Sequence, residues 1–431
     1  MQSGQYSVQL SCMAKESIIV GIDIGTTNVR SIVAHQIRGE QLPRVIGVGT
    51  CPSVGIRRGS IIDIDEVTKC INTAIENSER MAGVPVKRAI INIGGCDIDF
   101  QNSKGVIAIG RADGEVTEDD INRVISEAQV ISLPMNKEIV HVLPRKYRLD
   151  DLDNIKDPVG MKGVRLEVEA LIIESSGTQV KNLSKCVYQS GIEVDDIVLE
   201  PLAAAEAVLG KKQKELGVVL INIGGGTTSM AVYEEGELLH VAILPVGAGH
   251  ITNDIAIGLR TSVEVAEKIK LEYGSALTQD VNKKEGVDLS QFDSSESDVV
   301  SRYHIAEIIE ARSEEIFNLV QNELKKIGKA SLLPSGAVLV GGGAKMAHIT
   351  DLAKNILGLP VQIGFPQGLG GILDKVDDPT FATVAGLLLW NNDKNGENMQ
   401  ISGKIRVPNI FSKGTEDAAV KIKGWIGKFL P

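Results

Sequence analysis

Apolar residues along this chain gather in short, nearly unbroken runs punctuated by glycine and threonine. Residues 18–22 read as a strand buried on both faces and residues 29–34 as a second, with Asp23-Ile24-Gly25-Thr26-Thr27-Asn28 as the turn between them. The layout returns in the second half of the chain: a strand over 218–221, the turn Asn222-Ile223-Gly224-Gly225-Gly226-Thr227-Thr228, and a strand over 229–233. One folding unit thus occurs twice, as expected of two lobes of common design. A third apolar run, 337–340, ends in Gly341-Gly342-Gly343-Ala344 and is predicted to enter a helix directly. Elsewhere strand-like and helix-like stretches alternate, which predicts α/β layers.

Residues 92–175 have a character of their own. Strands are predicted within 93–109, 140–149 and 165–174, and a helix from Thr117, whose hydroxyl suits the cap of an acidic first turn. This block reads as an inserted subdomain. Residues 278–298 are polar and predict a surface excursion, and residues 391–416 read as a linker. Beyond the linker, Ala418, Ala419, Ile422, Trp425, Ile426, Phe429 and Leu430 share one face of a predicted helix, with Lys421 and Lys428 on one flank and Lys423 on the other. This is the layout of an interfacial helix, apolar side in the acyl boundary and lysines at anionic headgroups. A helix docked on its own domain is the alternative.

At 431 residues, two or more domains are expected. No run approaches the ~20 apolar residues needed to span a bilayer. The start is polar, without the basic-then-apolar layout of a signal peptide, and reads as a disordered leader with Met13 as an alternative start. The cysteines (Cys12, Cys51, Cys70, Cys96, Cys186) are scattered, odd in number and form no C-x-x-C pair, which fits a reducing compartment and argues against a zinc site. From residue 401 onward six basic residues stand against Glu416 and Asp417, so the tail is +4 in a chain of net charge −11, and the body is −15. An acidic body should repel nucleic acid, whereas a basic tail is drawn to an anionic surface.

A phosphate chain is best held by backbone N–H groups, and glycine lets the backbone approach it closely. The three glycine turns offer such amides. Asp23 adds a carboxylate able to hold a hydrated Mg²⁺, and Gly341-Gly342-Gly343-Ala344 offers bare backbone to a base, ribose or phosphate. None is a Walker A motif, because no lysine follows the glycines at the required spacing. A fourth element, Leu199-Glu200-Pro201 followed by an alanine-rich stretch, reads as a strand end running into a helix. Its small residues allow close packing; alternatively Glu200 polarises a water toward a γ-phosphate. Glu267 and Lys270 fall at i and i+3 on a predicted helix, an arrangement that serves equally for a surface ion pair. Asp254 either faces the phosphates or caps a turn, and the dispersed His141, His240, His250 and His304 lack ligand spacing.

In their order, Asp-Ile-Gly-Thr-Thr, Glu-Pro-x-Ala-Ala-Ala, Ile-Gly-Gly-Gly-Thr and Val-Gly-Gly-Gly-Ala resemble the phosphate-one, connecting, phosphate-two and adenosine motifs of the actin-like ATPase superfamily. Asn102-Ser-x-Gly105, Thr117-Glu-Asp-Asp, Leu133-Pro134, His141-Val-Leu-Pro144 and the run Asp157 to Glu167 look like the subdomain specific to the FtsA family, and Ala382-Thr383-x-Ala-Gly386 also matches. The resemblance implies an actin-like (ribonuclease H-like) two-lobed α/β fold with the FtsA-type insertion and a C-terminal amphipathic helix. It implies a leader 1–17, a first lobe 18–94, 176–212 and 373–390, an inserted subdomain 95–175, a second lobe 213–372, a linker 391–416 and a membrane-targeting helix 417–431. ATP with Mg²⁺ is implied in the interlobe cleft, with Gly247 on the phosphate side and Glu267 and Lys270 at ribose and adenine. Also implied are head-to-tail self-assembly, attachment to the inner membrane at the division site, contact with other divisome proteins, and docking of the FtsZ C-terminal peptide on the second lobe's smaller part. Departures bear on chemistry: Asn222 and Ser229 stand where many relatives carry acids, and Gly247-Ala248-Gly249 replaces a more usual double glycine. Loss of those charges implies weak Mg²⁺ and turnover that is slow or absent. A PilM-like scaffold of a pilus or secretion machine is the alternative within the fold, and a sugar or metabolite kinase a third class.

Overall fold

The computed structural model describes residues 17–37, 40, 42–294 and 298–390. The leader through residue 16, the linker and the amphipathic segment with Lys421, Ile422, Lys423, Trp425, Ile426, Lys428, Phe429 and Leu430 lie outside the described residues.

Two sheets carry the repeated unit. In the first, the strands run in the order Glu193–Leu199, Arg88–Ile93, Ser17–Ile24, Asn28–Gln36, Arg44–Pro52, with Gly370–Gly371 at the far edge. In the second the order is Val361–Ile363, Ala337–Val340, Val218–Ile223, Thr228–Glu234, Glu237–Leu244. Strand for strand these are the same arrangement. A central hairpin pairs antiparallel, and its first strand takes a parallel neighbour on the other side. The central strands are buried along most of their length, so their sequences read as continuous Val, Ile and Leu. Register makes Asp23 face Arg30 across the first hairpin and Asn222 face Ser229 across the second. The amide and the hydroxyl that replace expected acids are therefore cross-strand partners.

One core joins the sheets. The helix Glu200–Val208 places Leu202, Ala205 and Val208 in the same cluster as Ile22 and Ile91 of the first sheet and Leu220, Ala231 and Val338 of the second. The helix Ala382–Leu389 crosses it so closely that a Cβ on Gly386 would collide with the Ala203 carbonyl.

The inserted block folds as a four-stranded sheet, Asp99–Ala108, Arg165–Ser176, Lys137–Leu149, Leu152–Ile155, covered by the helix Glu118–Ala128. Thr117 caps that helix as its sequence predicts: its hydroxyl accepts from Asp120 N while the Asp120 carboxylate accepts from Thr117 N. The block also grips the second lobe. Arg145 donates to the Leu239 carbonyl at 2.7 Å and Lys156 to the Glu235 carbonyl at 2.6 Å. A separate core around Ile255, Ile269 and Ile305 builds the second lobe's smaller part from the helices Ala248–Leu259, Val263–Tyr273 and Arg302–Lys326. Residues 278–298 contribute short 3₁₀ turns and one small strand, Gly286–Asp288, to its edge.

Candidate functional site

The two glycine turns meet where the lobes face each other. Gly25 N donates to the Asn28 carbonyl at 3.1 Å and Gly224 N to the Thr227 carbonyl at 2.9 Å, so both hairpins close in the same way. A Cβ on Gly225 would collide with the Thr27 hydroxyl, and one on Gly226 would stand 3.0 Å from both Thr26 Oγ1 and Arg58 Cα. The turns thus abut, with Thr27 exposed at the rim and Thr228 fully buried, its hydroxyl without a partner among the described residues. The third turn joins them through the parallel pairing of Ala337–Val340 with Val218–Ile223. Gly341 has φ of 85° and a Cβ there would strike Asn222 Oδ1, two constraints that only glycine meets together. The predicted direct entry into a helix is wrong here. Gly342–Lys345, which includes Gly343 and Ala344, form a 3₁₀ turn, and the helix waits until Ile349 because His348 adopts a left-handed φ of 60°.

Two carboxyl groups point into the junction. Asp23, at the end of its strand, accepts from Asn92 Nδ2 at 2.8 Å, while Asn92 Oδ1 accepts from Ile24 N at 2.7 Å. Burial pushes its pKa up from 3.8 to about 6, against the pull of Arg30, whose guanidinium lies 3.9 Å away and over the Phe381 ring. Glu200 opens its helix from the opposite wall. Its Oε1 accepts from Asn222 Nδ2 and, at 3.3 Å, from Ser229 Oγ. Burial and, after it, the Asp23 charge raise the Glu200 pKa from 4.5 to about 8, while the Ser229 and Asn222 hydrogen bonds oppose this. Two buried carboxyls, one of them further opposed by the other's charge, require protons or a cation. Asn222 spans both lobes: its Nδ2 also lies 3.4 Å from Thr383 Oγ1, and its buried Oδ1 has no partner among the described residues.

The residue types fit a hydrated divalent cation. Among the described residues no cluster of three or more His, Cys, Asp or Glu could cage a metal. Magnesium, however, characteristically keeps its waters and takes one or two carboxylates together with phosphates. Asp23 and Glu200 supply that charge, and the orphaned Asn222 Oδ1 supplies a further acceptor for a metal-bound water.

The second lobe adds a buried cation. Lys270 Nζ donates to Thr252 Oγ1 at 2.8 Å, to Glu267 Oε2 at 2.6 Å and to the Ala248 carbonyl at 3.5 Å. Ala248 N in turn donates to the Gly224 carbonyl at 2.8 Å, so Lys270 is one residue removed from the second turn. Gly247 precedes this helix, and a Cβ on it would lie 2.9 Å from Thr227 N. The Glu267–Lys270 pair is therefore no ordinary surface bridge, since Lys270 is buried. Asp254 does neither thing expected of it. It ion-pairs with Arg312 of the long helix at 2.6 Å. His240 and His304 pair with Glu323 and Glu307, and the His250 ring takes Gly247 N.

Sequence reasoning missed Asn92, Arg30 and Thr383, which reach the junction from separate elements. It also missed the hairpin carrying Arg58 and Gly59, where Gly59 N donates to Thr26 Oγ1 at 3.1 Å. The pair Gly55 and Gly59, both at positive φ, was the available signal for that turn.

Comparison with known proteins follows the same lines. A family model for cell division protein FtsA matches residues 219–386, and one for the SHS2 domain inserted in FtsA matches residues 95–174. Cell division protein FtsA of Pseudomonas aeruginosa is 39% identical over 413 residues, covering 95% of this chain and 97% of that protein. The Bacillus subtilis protein is 41% identical over 376 residues, covering 87% and 84%. Among solved structures, a PilM–PilN type IV pilus biogenesis complex superposes with a TM-score of 0.64 at 14% identity, over 86% of this chain and 98% of that one. MreB 5 of Spiroplasma citri bound to AMPPNP gives a TM-score of 0.50 at 15% identity, over 87% and 96%.

Proposed function

The chain belongs to the FtsA family of cell division proteins, with an actin-like fold, and from that premise we propose that it binds Mg-ATP between its lobes and tethers the division ring to the membrane as a self-assembling peripheral protein. The observation that carries the nucleotide reading is the convergence of three bare glycine turns on the Asp23–Glu200 pair. Amides of residues 25–28 and 224–228 would hold the phosphates, Asp23 would hold Mg²⁺ through water, and Gly341 to Ala344 with Glu267 and Lys270 would face adenosine. When bound, the cation would supply charge that favours the ionised form of both carboxyls. Glu200 can then orient a water, whereas Asn222 and Ser229 add no charge, so turnover is slow or absent.

Lys270→Met should lower Mg-ATP affinity about tenfold. It strips donors from Thr252, Glu267 and the Ala248 carbonyl behind the second turn while leaving the buried stem, at a stability cost of about 1–2 kcal/mol. Calorimetry and urea denaturation check the two numbers.

Membrane attachment rests on the C-terminal segment. Among the described residues no helix is long and apolar enough to cross a membrane. Five large apolar side chains give a gross gain near 10 kcal/mol, much of it cancelled by ordering the helix. One tail therefore binds reversibly, and a polymer of tails binds firmly through avidity. Deleting residues 418–431 should reduce pelleting with anionic vesicles at least about tenfold. Pelleting that survives the deletion contradicts the tail reading. For the FtsZ peptide, the second lobe's smaller part offers a concavity lined by Ile257, Gly258, Ile308 and Ala311 beside the Asp254–Arg312 ion pair. Its mix of apolar floor and paired charges suits a short amphipathic segment.

Electron microscopy on anionic lipid monolayers tests the whole reading. Filaments with Mg-ATP and none without nucleotide are expected; bound protein that never assembles contradicts the polymer.

A further inference from the structure

Among the described residues the strand Glu193–Leu199 lies at the edge of the first sheet, so every second N–H on it points away from its sheet partner, Arg88–Ile93. Edge groups of this kind, once buried, must find an acceptor elsewhere. Leu199 N finds one in the inserted subdomain: His141, on the strand Lys137–Leu149, accepts it at Nε2 over 3.0 Å. Leu199 is also the residue before Glu200 and the N-cap of its helix. Among the described residues no side chain caps that helix and Pro201 brings no N–H, so the His141 bond and the pairing of Leu199 with Ile93 together hold the turn from which Glu200 projects. On its other side the His141 ring packs against Trp390, with centroids 5.6 Å apart. Trp390 closes the helix Ala382–Leu389 and is the last described residue before the linker. An imidazole accepting at Nε2 carries its proton on Nδ1, which is buried and meets no acceptor among the described residues. A histidine kept neutral in an apolar setting, with one nitrogen spent on a backbone amide, is an orienting group.

We propose that His141 is a positioning residue for Glu200, holding the Leu199–Glu200 turn from the inserted subdomain and linking that turn to Trp390, the last described residue. This rests on the nucleotide reading above and adds to it a residue supplied by the inserted subdomain. Any change in the Asn222 and Ser229 hydrogen bonds of Glu200 on Mg-ATP binding would pass through the Leu199 turn to His141 and thence to Trp390.

The test combines calorimetry of Mg-ATP binding with Trp390 emission, isolated by subtracting the same titration on Trp390→Phe. In the wild type, Mg-ATP should shift Trp390 emission. His141→Leu should abolish that shift and lower any turnover about tenfold, with affinity within about twofold of wild type. His141→Gln, which returns an acceptor near the position of Nε2, should recover both. Where His141→Leu does not fold, His141→Asn, whose amide falls short of Leu199, replaces it. A residue that only fills space would lower stability and leave the Trp390 response in proportion to bound nucleotide. An unchanged response in His141→Leu, or a loss that Gln does not restore, overturns the assignment. Wild-type protein that binds ATP without a Trp390 response overturns the assignment alone; wild-type protein that binds no ATP removes the nucleotide reading together with it.

Discussion

Glu200→Gln should make the nucleotide-free protein more stable at pH 8 than the wild type, by on the order of 4 kcal/mol, and equally stable near pH 4. The folded carboxyl holds its proton to about pH 8, whereas the unfolded one releases it near 4.5. Between those values the folded protein binds the extra proton, so wild-type stability falls as pH rises, by about 1.4 kcal/mol per pH unit. Glutamine has no proton to lose and still offers Oε1 to Asn222 and Ser229. Asp23 adds a smaller fall between about 4 and 6 that both proteins share. Urea midpoints from pH 4 to 8 measure the difference. Parallel pH profiles for the two proteins would mean that Glu200 ionises freely and that its environment is misread. If Mg-ATP is turned over, the same variant should slow the step about 10²-fold and also weaken Mg-ATP binding, because the amide keeps the shape but loses both the base and a charge that faces the cation.

Gly386→Val should be the most damaging single substitution outside the turns. Its helix and the helix of Glu200 meet backbone to backbone, and a Cβ at 386 runs into the Ala203 carbonyl with the Ala203 Cα only 3.1 Å away. Neither obstacle is a flexible side-chain tip, so the helices must separate. Ala203 lies in the first turn after Glu200, which means that the separation also misplaces the carboxyl. A loss of about 3 kcal/mol or more is expected, together with weakened nucleotide binding in whatever fraction remains folded. Thermal unfolding and calorimetry at low temperature report the two effects separately. A variant that unfolds with the wild-type midpoint would show that the helices cross more loosely than described.

The repeated hairpins were legible because each is local: a buried apolar run, a glycine–threonine turn, a second run. Thr117 was legible for the same reason, since a cap and its partner at N3 are three residues apart. What escaped is what long-range packing decides. Asn92 bonds Asp23 from the neighbouring strand, Arg30 reaches it through cross-strand register, and Thr383 arrives from the last described helix. Asp254 could not be assigned without knowing that Arg312 lies beside it. The break between Lys345 and Ile349 coincides with a left-handed His348, a conformation no composition signals. His141 is the clearest case: as a lone histidine in an apolar strand it looked structural, and its interest lies in which amide it takes.

Hydrogen exchange measured with and without Mg-ATP on the full-length protein tests the interlobe site most directly. Protection is predicted at residues 23–28, 224–228 and 341–344 together, since one ligand must touch turns from both lobes. Protection confined to one lobe, or none at saturating nucleotide, would contradict the account.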